Sequence, residues 1–553
     1  MIVQSKTLEE TLNQPLRYVI PVFQRFYSWQ RTEWERAWED ITELTDVKDH
    51  TRHHFMGPLV FSAEQSIPGR TTAYRVIDGQ QRLITLSLLL CALRDLALER
   101  NLQKLADEIQ ASYLVHTYKD GIEKFRVYPR QRDRDQYIAA VTQCKIEEGN
   151  INNALSYFKK EMSEATSNED EMRSLKDVVC SRIDFVHVIL NQENPFQIFK
   201  SLNSTGVDLS ESDLIRNFVF MSVGESMQDE FDDKYWQPLE KHFETQDAKQ
   251  KGGLNAKEFT SFLRDVLMRE GTYVGVNNVF EEFEAKYKDN FNAYELIREL
   301  DTQVALYDVI RGRSSYPLNN PKIDVALLQL RGLESSTAYP LVLNLLNRFR
   351  DNSVSDVDVV HCLRLISGFV MRRYICNDTS RTYGKWFVAA CTLLKSSPLE
   401  NLREFLISKK FPDDAEFQEA FLKFPVYTGN YRLTILKELE LSLPFKERGS
   451  LAQVQVEHIM PQTLTGDWRS YLGARSDDIH KMWLHTVGNL TITKYNQELG
   501  NKSFFDKRKE YGKSGYELTR SLYRYTIWGE KQISERGKLL AEAATKIWIG
   551  PNS

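Results

Sequence analysis

Glu457 and His458 stand side by side in Val456-Glu457-His458-Ile459-Met460-Pro461-Gln462, and further along come Gly488-Asn489-Leu490-Thr491-Ile492-Thr493 and then Asn496. An acidic residue beside a histidine at a strand end can supply one metal ligand and one general base. A second strand and a helix can bring in the asparagines. Parts of this kind make a metal-dependent nuclease, whose substrate is a phosphodiester. His485, just before Gly488, competes as a ligand or as a group that stabilises the transition state.

A second constellation lies near the N-terminus, in Ile20-Pro21-Val22-Phe23-Gln24-Arg25-Phe26-Tyr27-Ser28-Trp29 and Val76-Ile77-Asp78-Gly79-Gln80-Gln81-Arg82-Leu83. Two amides and an arginine in the first turn of an apolar helix are poorly explained by core packing. Free N–H groups at a helix N-terminus attract anions, and Arg82 can add a charged fork to a phosphate. A capped helix with an internal salt bridge is the plainer reading. No Walker A loop competes for a phosphate: Gly512-Lys513-Ser514 resembles its tail, but Lys507 stands where the upstream glycine is required, so the triplet reads as a helix-end turn.

The elements that must position these residues can be read in outline. Residues 18–23, 55–61 and 74–77 are strand-like, with a helix between the first two that carries Trp34 and Trp38 on one face. After the Asp78-Gly79 turn, the run from Gln80 to Glu99 reads as a buried helix. From about residue 100 to 450 helical periodicity dominates. Examples are 154–172, 209–223 with the capping box Ser210-x-x-Asp213, and 357–373. Composition shifts at 246–253 and 446–450 read as exposed loops, the second as a domain-scale linker. Beyond it, Val454 and Val456 alternate with polar residues, as do Leu490 and Ile492, and Ser503-x-x-Asp506 reads as a helix start. The implied C-terminal unit is strand, strand and helix around one metal, held by Trp468, Trp483 and the phenylalanines.

Composition narrows the classes. A chain of 553 residues that is 42% hydrophobic and 27% charged has room for two to four domains with real cores. Its net charge of -5 announces no nucleic-acid binder, so local distribution carries that case. Residues 501–540 hold ten Lys or Arg against five Asp or Glu, directly after the nuclease-like segment. Six cysteines occur with no C-x-x-C pair, which argues for a reducing compartment and against a zinc ribbon. The start lacks the regions of a signal peptide, and the longest apolar run, Leu83 to Leu93, falls short of the roughly 20 residues that span a bilayer. A cytoplasmic protein with no membrane partner is expected.

Two resemblances extend this reading. The C-terminal pieces resemble the HNH nucleases, whose pattern is Asp/Glu-His-Ile-x-Pro, then Asn-Leu-x-x-Leu, then Asn followed by Gly-Asn-Lys. Here those elements stand as Glu457-His458-Ile459-Met460-Pro461, Asn489-Leu490-Thr491-Ile492-Thr493, and Asn496 with Gly500-Asn501-Lys502. The resemblance implies that His458 is the general base and that Asn489 braces the loop and orients it. It also implies that Glu457 and Asn496 hold one Mg²⁺ or Mn²⁺.

Both N-terminal motifs, with Phe199-Lys200-Ser201-Leu202-Asn203-Ser204-Thr205-Gly206-Val207-Asp208-Leu209, resemble the N-terminal domain of the GmrSD family. That domain is similar to the ParB and sulfiredoxin fold. The family comprises type IV, modification-dependent restriction enzymes, BrxU-like and SspE-like proteins included, which fuse it to an HNH domain. By this resemblance Asp78, Gly79, Gln80, Gln81 and Arg82 engage or hydrolyse GTP or ATP, with Gln24 and Arg25 lining the same pocket. Asp78 and Arg82 would be catalytic there.

The expectation is an α+β, mostly helical chain in three parts. Residues 1–225 form a ParB/sulfiredoxin-like nucleotide-binding and sensing domain, 226–445 a helical scaffold, and 446–553 an HNH (ββα-metal) nuclease domain. The function expected is a nucleotide-regulated, modification-dependent endonuclease acting on modified double-stranded phage DNA. A homodimer is the simplest way for a one-metal site to cut both strands. The competing reading is a nucleotide-dependent DNA-binding or signalling protein whose HNH part is degenerate. A third is an enzyme acting on RNA or free nucleotides through the N-terminal domain alone.

Overall fold

Short runs rich in Val, Ile, Phe and Tyr build a mixed sheet at the N-terminal end. Its strands are β1 (Ile2–Thr7), β2 (Leu16–Val19), β3 (His54–Ala63), β4 (Thr72–Asp78), β5 (Val127–Tyr128) and β6 (Ile183–Leu190). Their spatial order is β1-β6-β3-β4-β2-β5. The pairs β1·β6 and β3·β4 are antiparallel, and the rest are parallel. The computed structural model describes residues 2–22, 24, 26–45, 51–64, 71–129, 132–190, 210–224, 227–244, 254–289, 291–395 and 397–553. Arg25, the 199–209 motif and the whole 246–253 loop lie outside them.

The chain divides into two compact units, Met1–Thr260 with Phe280–Ile297, and Ser261–Val279 with Arg298–Ser553. The architecture is α+β and mostly helical, as expected. In the first unit β4 runs straight through Gly79 into the helix Gln80–Glu99, apolar on nearly every face and buried along nearly its whole length. Gly79 takes φ +94, and a Cβ there would sit 2.3 Å from Leu59 Cδ2, so only glycine makes this strand-to-helix turn without strain.

Two stretches read as helix differ. Residues 183–190 form β6, because their β-branched and aromatic side chains suit a strand that pairs with β1 and β3 far upstream. The expected helix over 154–172 is two helices, Asn150–Ala165 and Glu169–Ser181. Asn168 separates them by accepting from Glu171 N, a side-chain cap that starts the second. The capping box at Ser210 and Asp213 is formed, opening the helix Glu211–Met221.

In the second unit the helix Asp356–Ile375 is buried along most of its length. Its fully covered Arg372 donates to the carbonyls of Trp548 and Pro412 and pairs with Asp414 at 2.6 Å, tying down the chain's last segment. The loop at 446–450 is fastened on both sides. Arg448 pairs with the buried Glu440 at 2.9 Å, Glu440 accepts from the N–H groups of Glu517 and Leu518, and Tyr516 donates to Ser450 O. Among the described residues no helix is long and apolar enough to cross a membrane.

One buried acid makes this unit's stability depend on pH. Asp265 accepts from Tyr307 Oη at 3.1 Å, and burial pushes its carboxyl up to about 7. A folded-state value above the unfolded one means the native state holds the proton longer. The stabilising share is therefore complete below about pH 4 and is lost as pH rises through 7. Asp265→Asn keeps an acceptor for Tyr307 without the charge, so it should raise stability by on the order of 2 kcal/mol at pH 8. That gain should shrink toward zero at pH 4; thermal melts of both proteins at the two pH values read the difference, and a pH-independent gap would refute it.

Candidate active site

The strand end that carries the histidine is held from three sides. β7 (Gln455–His458) pairs antiparallel with β8 (Leu490–Thr493), placing His458 opposite Leu490 and Glu457 opposite Thr491. The helix Phe504–Tyr511 follows, capped by Ser503 accepting from Asp506 N at 3.3 Å. Beneath lies an apolar core of Ile459, Met460, Trp468, Phe504 and Trp528, with Trp483 packed on it. Trp528 is the largest contributor the motif reading did not single out; it stacks on Phe504 at 5.3 Å.

Asn489 is fully buried and fixes the loop that leaves β7. Its Oδ1 accepts from Met460 N at 2.8 Å and from Trp528 Nε1 at 3.2 Å, while its Nδ2 donates to the carbonyls of Met460 and Leu484. Four bonds from one amide exhaust its main valences, so it acts on the backbone and not on a substrate. Arg536, also buried, donates to the carbonyls of Val487, Gly488 and Leu490 and holds the other side of the same turn.

Around His458 the structure gathers residues from well beyond the motif. Its Nε2 lies 3.3 Å from His485 Nδ1, and its Nδ1 lies 3.3 Å from Gln462 Nε2. Because an amide nitrogen can only donate, Gln462 marks Nδ1 as the acceptor and leaves the hydrogen on Nε2, directed at His485. Tyr427 closes the cluster. Its ring meets His458 edge-on at 4.3 Å and lies parallel to His485 at 5.3 Å, and its hydroxyl accepts from Gln462 at 3.2 Å. Burial, and then the neighbouring His485, pull His458 down to about 3, so it is neutral at physiological pH. Tyr427 precedes the expected domain start at 446, and no periodicity in the sequence connects it to the site.

Glu457 points the other way, into the core. Its carboxylate accepts from Lys507 Nζ at 2.7 Å and Tyr511 Oη at 3.1 Å, and Lys507 also donates to His458 O at 2.8 Å. Both side chains of the pair are almost completely covered. Burial pushes the Glu457 carboxyl up, and Lys507 and its hydrogen bonds oppose that. Asn496 opens the short helix Asn496–Leu499 and donates to Val456 O at 3.2 Å. Among the described residues no three His, Cys, Asp or Glu side chains converge on one point. As arranged, the donors do not fit the ion implied at Glu457 and Asn496, because the Lys507 ammonium fills the place beside the carboxylate.

At the N-terminal end the amides serve the backbone. Gln24 Nε2 donates to Ile77 O at 2.8 Å; Gln81 donates to Phe26 O and accepts from Ser28 N, both at 2.9 Å. Asn150 and Asp133 hold the same loop through Tyr27 and Trp29. Arg82 donates to Pro58 O at 2.7 Å and lies 4.0 Å from Asp78, with Gly57 and Gly79 close against its guanidinium. The helix Gln80–Glu99 has no side-chain cap at its N-terminus. Uncapped N–H groups beside a partly exposed arginine and two glycines fit the phosphate end of a nucleotide. Gln80 is buried at the same turn.

A two-strand and helix unit carrying His458 thus follows, along the chain, a sheet that ends in an Asp-Gly-Gln-Gln-Arg turn. Residues 8–220 match the GmrSD restriction endonuclease N-terminal domain, and residues 411–543 match the GmrSD restriction endonuclease C-terminal domain. The chain therefore belongs to the GmrSD restriction endonucleases, type IV enzymes of the modification-dependent kind, which act on DNA. No curated protein matches it. The second match begins upstream of residue 446 and takes in Tyr427.

Proposed function

We propose that this chain is a nucleotide-regulated endonuclease that cleaves modified phage DNA, deciding at the N-terminal sheet and cutting at His458. The observation that carries the reading is the neutral His458 imidazole, held 3.3 Å from His485 on a strand end whose exit loop Asn489 fixes. Water replacing the Gln462 amide at Nδ1 gives up a proton to that lone pair as its oxygen attacks phosphorus, and the bond from phosphorus to the 3′ oxygen breaks, that oxygen taking a proton from solvent. The Nε2 hydrogen then moves toward His485 Nδ1, spreading the charge over two rings. At the other end the N–H groups of Gly79 to Arg82 and the Arg82 guanidinium would hold a phosphate of GTP or ATP. Asp78 orients that guanidinium, and Gln24 and Gln81 shape the loop above it. Two copies acting together would sever both strands, and the reading suits a cytoplasmic enzyme.

One observation favours a second reading. Glu457, spent on Lys507, suits a nuclease centre that has become a DNA-binding or signalling part. Matched DNAs that are unmodified, hydroxymethylated, glucosylated or phosphorothioated separate the two, each incubated with Mg²⁺ or Mn²⁺, with and without triphosphate, and with chelator as control. Cleavage confined to a modified DNA, and altered by triphosphate, is expected. Inertness on every modified DNA together with tight binding to one of them would establish the second reading instead.

A further inference from the structure

Beside the catalytic strands lies a cavity of about 590 Å³ that the mechanism above does not use. Its volume falls in the roughly 300–1,000 Å³ range of small-molecule sites. Its wall runs from Thr493, the end of β8, past the helix Asn496–Leu499 to the 510–516 turn, so it includes Lys513 and Ser514 of the triplet set aside as a helix-end turn. The chemistry at its rim is mixed in a particular way. Lys494 and Lys502 both line it, and neither ammonium is within ion-pair distance of a carboxylate among the described residues; Lys513, by contrast, is neutralised by Glu510 at 3.0 Å. Tyr495 presents an exposed ring there, while Tyr516 lines the same cavity but is buried, its hydroxyl donating to Ser450 O at 2.8 Å. Glu498 adds an exposed carboxylate with no ion-pair partner among the described residues.

We propose that this cavity binds a mononucleotide unit. Lys494 and Lys502 take its phosphate and the exposed Tyr495 ring takes the face of its base, a combination of charge and stacking that binds single nucleotides. Glu498 accepts from an exocyclic amino group, which favours adenine, cytosine and guanine bases over thymine. The occupant would also press on the catalytic strand's support. Tyr511 lines the cavity and donates to Glu457, next to His458, and Thr519 lines it and hydrogen-bonds to Thr491 of β8. The same chemistry has two sources, a free nucleotide or a nucleotide turned out of the DNA strand. The site rests on the nuclease reading only for the second.

The test measures binding and not cleavage, so it stands apart from the failure of that reading. Full-length protein carrying His458→Ala, with Arg82→Ala to silence the N-terminal turn, is titrated with AMP and with a short single-stranded oligonucleotide. Both titrations are repeated after adding Lys494→Ala/Lys502→Ala, and separately Tyr495→Ala. All three positions are exposed, so folding should be retained. A loss of about tenfold or more in both variants for AMP assigns a free nucleotide, and the same loss confined to the oligonucleotide assigns the strand. Unchanged affinity in both arms overturns the proposal. So does a loss from the lysine pair alone, which would mean a diffuse basic surface without a base site.

Discussion

His458→Ala lowers the cleavage rate on a susceptible DNA by about 10²- to 10⁴-fold, the span a positioned general base contributes. The argument is geometric. Nδ1 of His458 faces the Gln462 amide and Nε2 faces His485, so the ring sits in a relay that no neighbour replaces. Its removal leaves the strand end in place, because the loop after it hangs on Asn489 and the carbonyl of residue 458 on Lys507. The expected result is thus a loss in single-turnover rate with melting temperature and DNA affinity nearly unchanged. A variant that still cuts within about threefold of the parent would remove His458 from the mechanism and pass the role to His485.

The second large effect falls on stability. Lys507→Met strands a carboxylate in the core with Tyr511 and a backbone N–H as its remaining partners, at a cost of about 3–5 kcal/mol. Most of that cost is the uncompensated charge, not the value of the pair itself. Adding Glu457→Gln to Lys507→Met should therefore recover most of the loss, since a neutral amide can still accept from Tyr511. Denaturant unfolding of the two single variants and the double variant closes the cycle. If Lys507→Met melts like the parent, Glu457 is free of the ion pair, and the place beside it is open to a metal after all.

The contrast between Glu457 and His458 explains how far the motif could be read. The pattern Glu-His-Ile-x-Pro shows that two polar groups end a strand, and the alternation of Val454 and Val456 shows where the strand is. Neighbouring residues on a strand face opposite sides, so one of the two had to turn inward. Which one turned, and whether a partner waited there, depended on Lys507, placed by a helix 50 residues later. The bracing role of Asn489 came from the resemblance to the HNH pattern, since an asparagine beside a glycine reads by itself only as a turn residue. Tyr427 was not legible, because it belongs to a turn between helices and meets His458 only after the fold closes.

The sheet divides in the same way. β3 and β4 were readable from their aromatic and aliphatic runs, and the Gly79 turn announced the helix that follows. β6 was hidden inside a stretch with helical neighbours on both sides, since its apolar run carries no period that separates a buried strand from a buried helix. The two glutamines of the Asp78–Arg82 turn looked like ligand-binding amides. For Gln81, bonds to the backbone at Phe26 and Ser28 show that an amide in a buried turn answers first to the nearest unpaired peptide groups.

By itself, then, the sequence determined the residue types that can do chemistry, their attachment to strand ends and helix starts, and their order along the chain. Those follow from local rules of periodicity, capping and turn geometry. Only the tertiary structure decided which side chains share a space: His458 with His485 and Tyr427, Glu457 with Lys507, and Lys494 with Tyr516 around the cavity. Such contacts join residues far apart in the chain, and they are selected by the burial and hydrogen-bond satisfaction of the whole fold, which no local window contains.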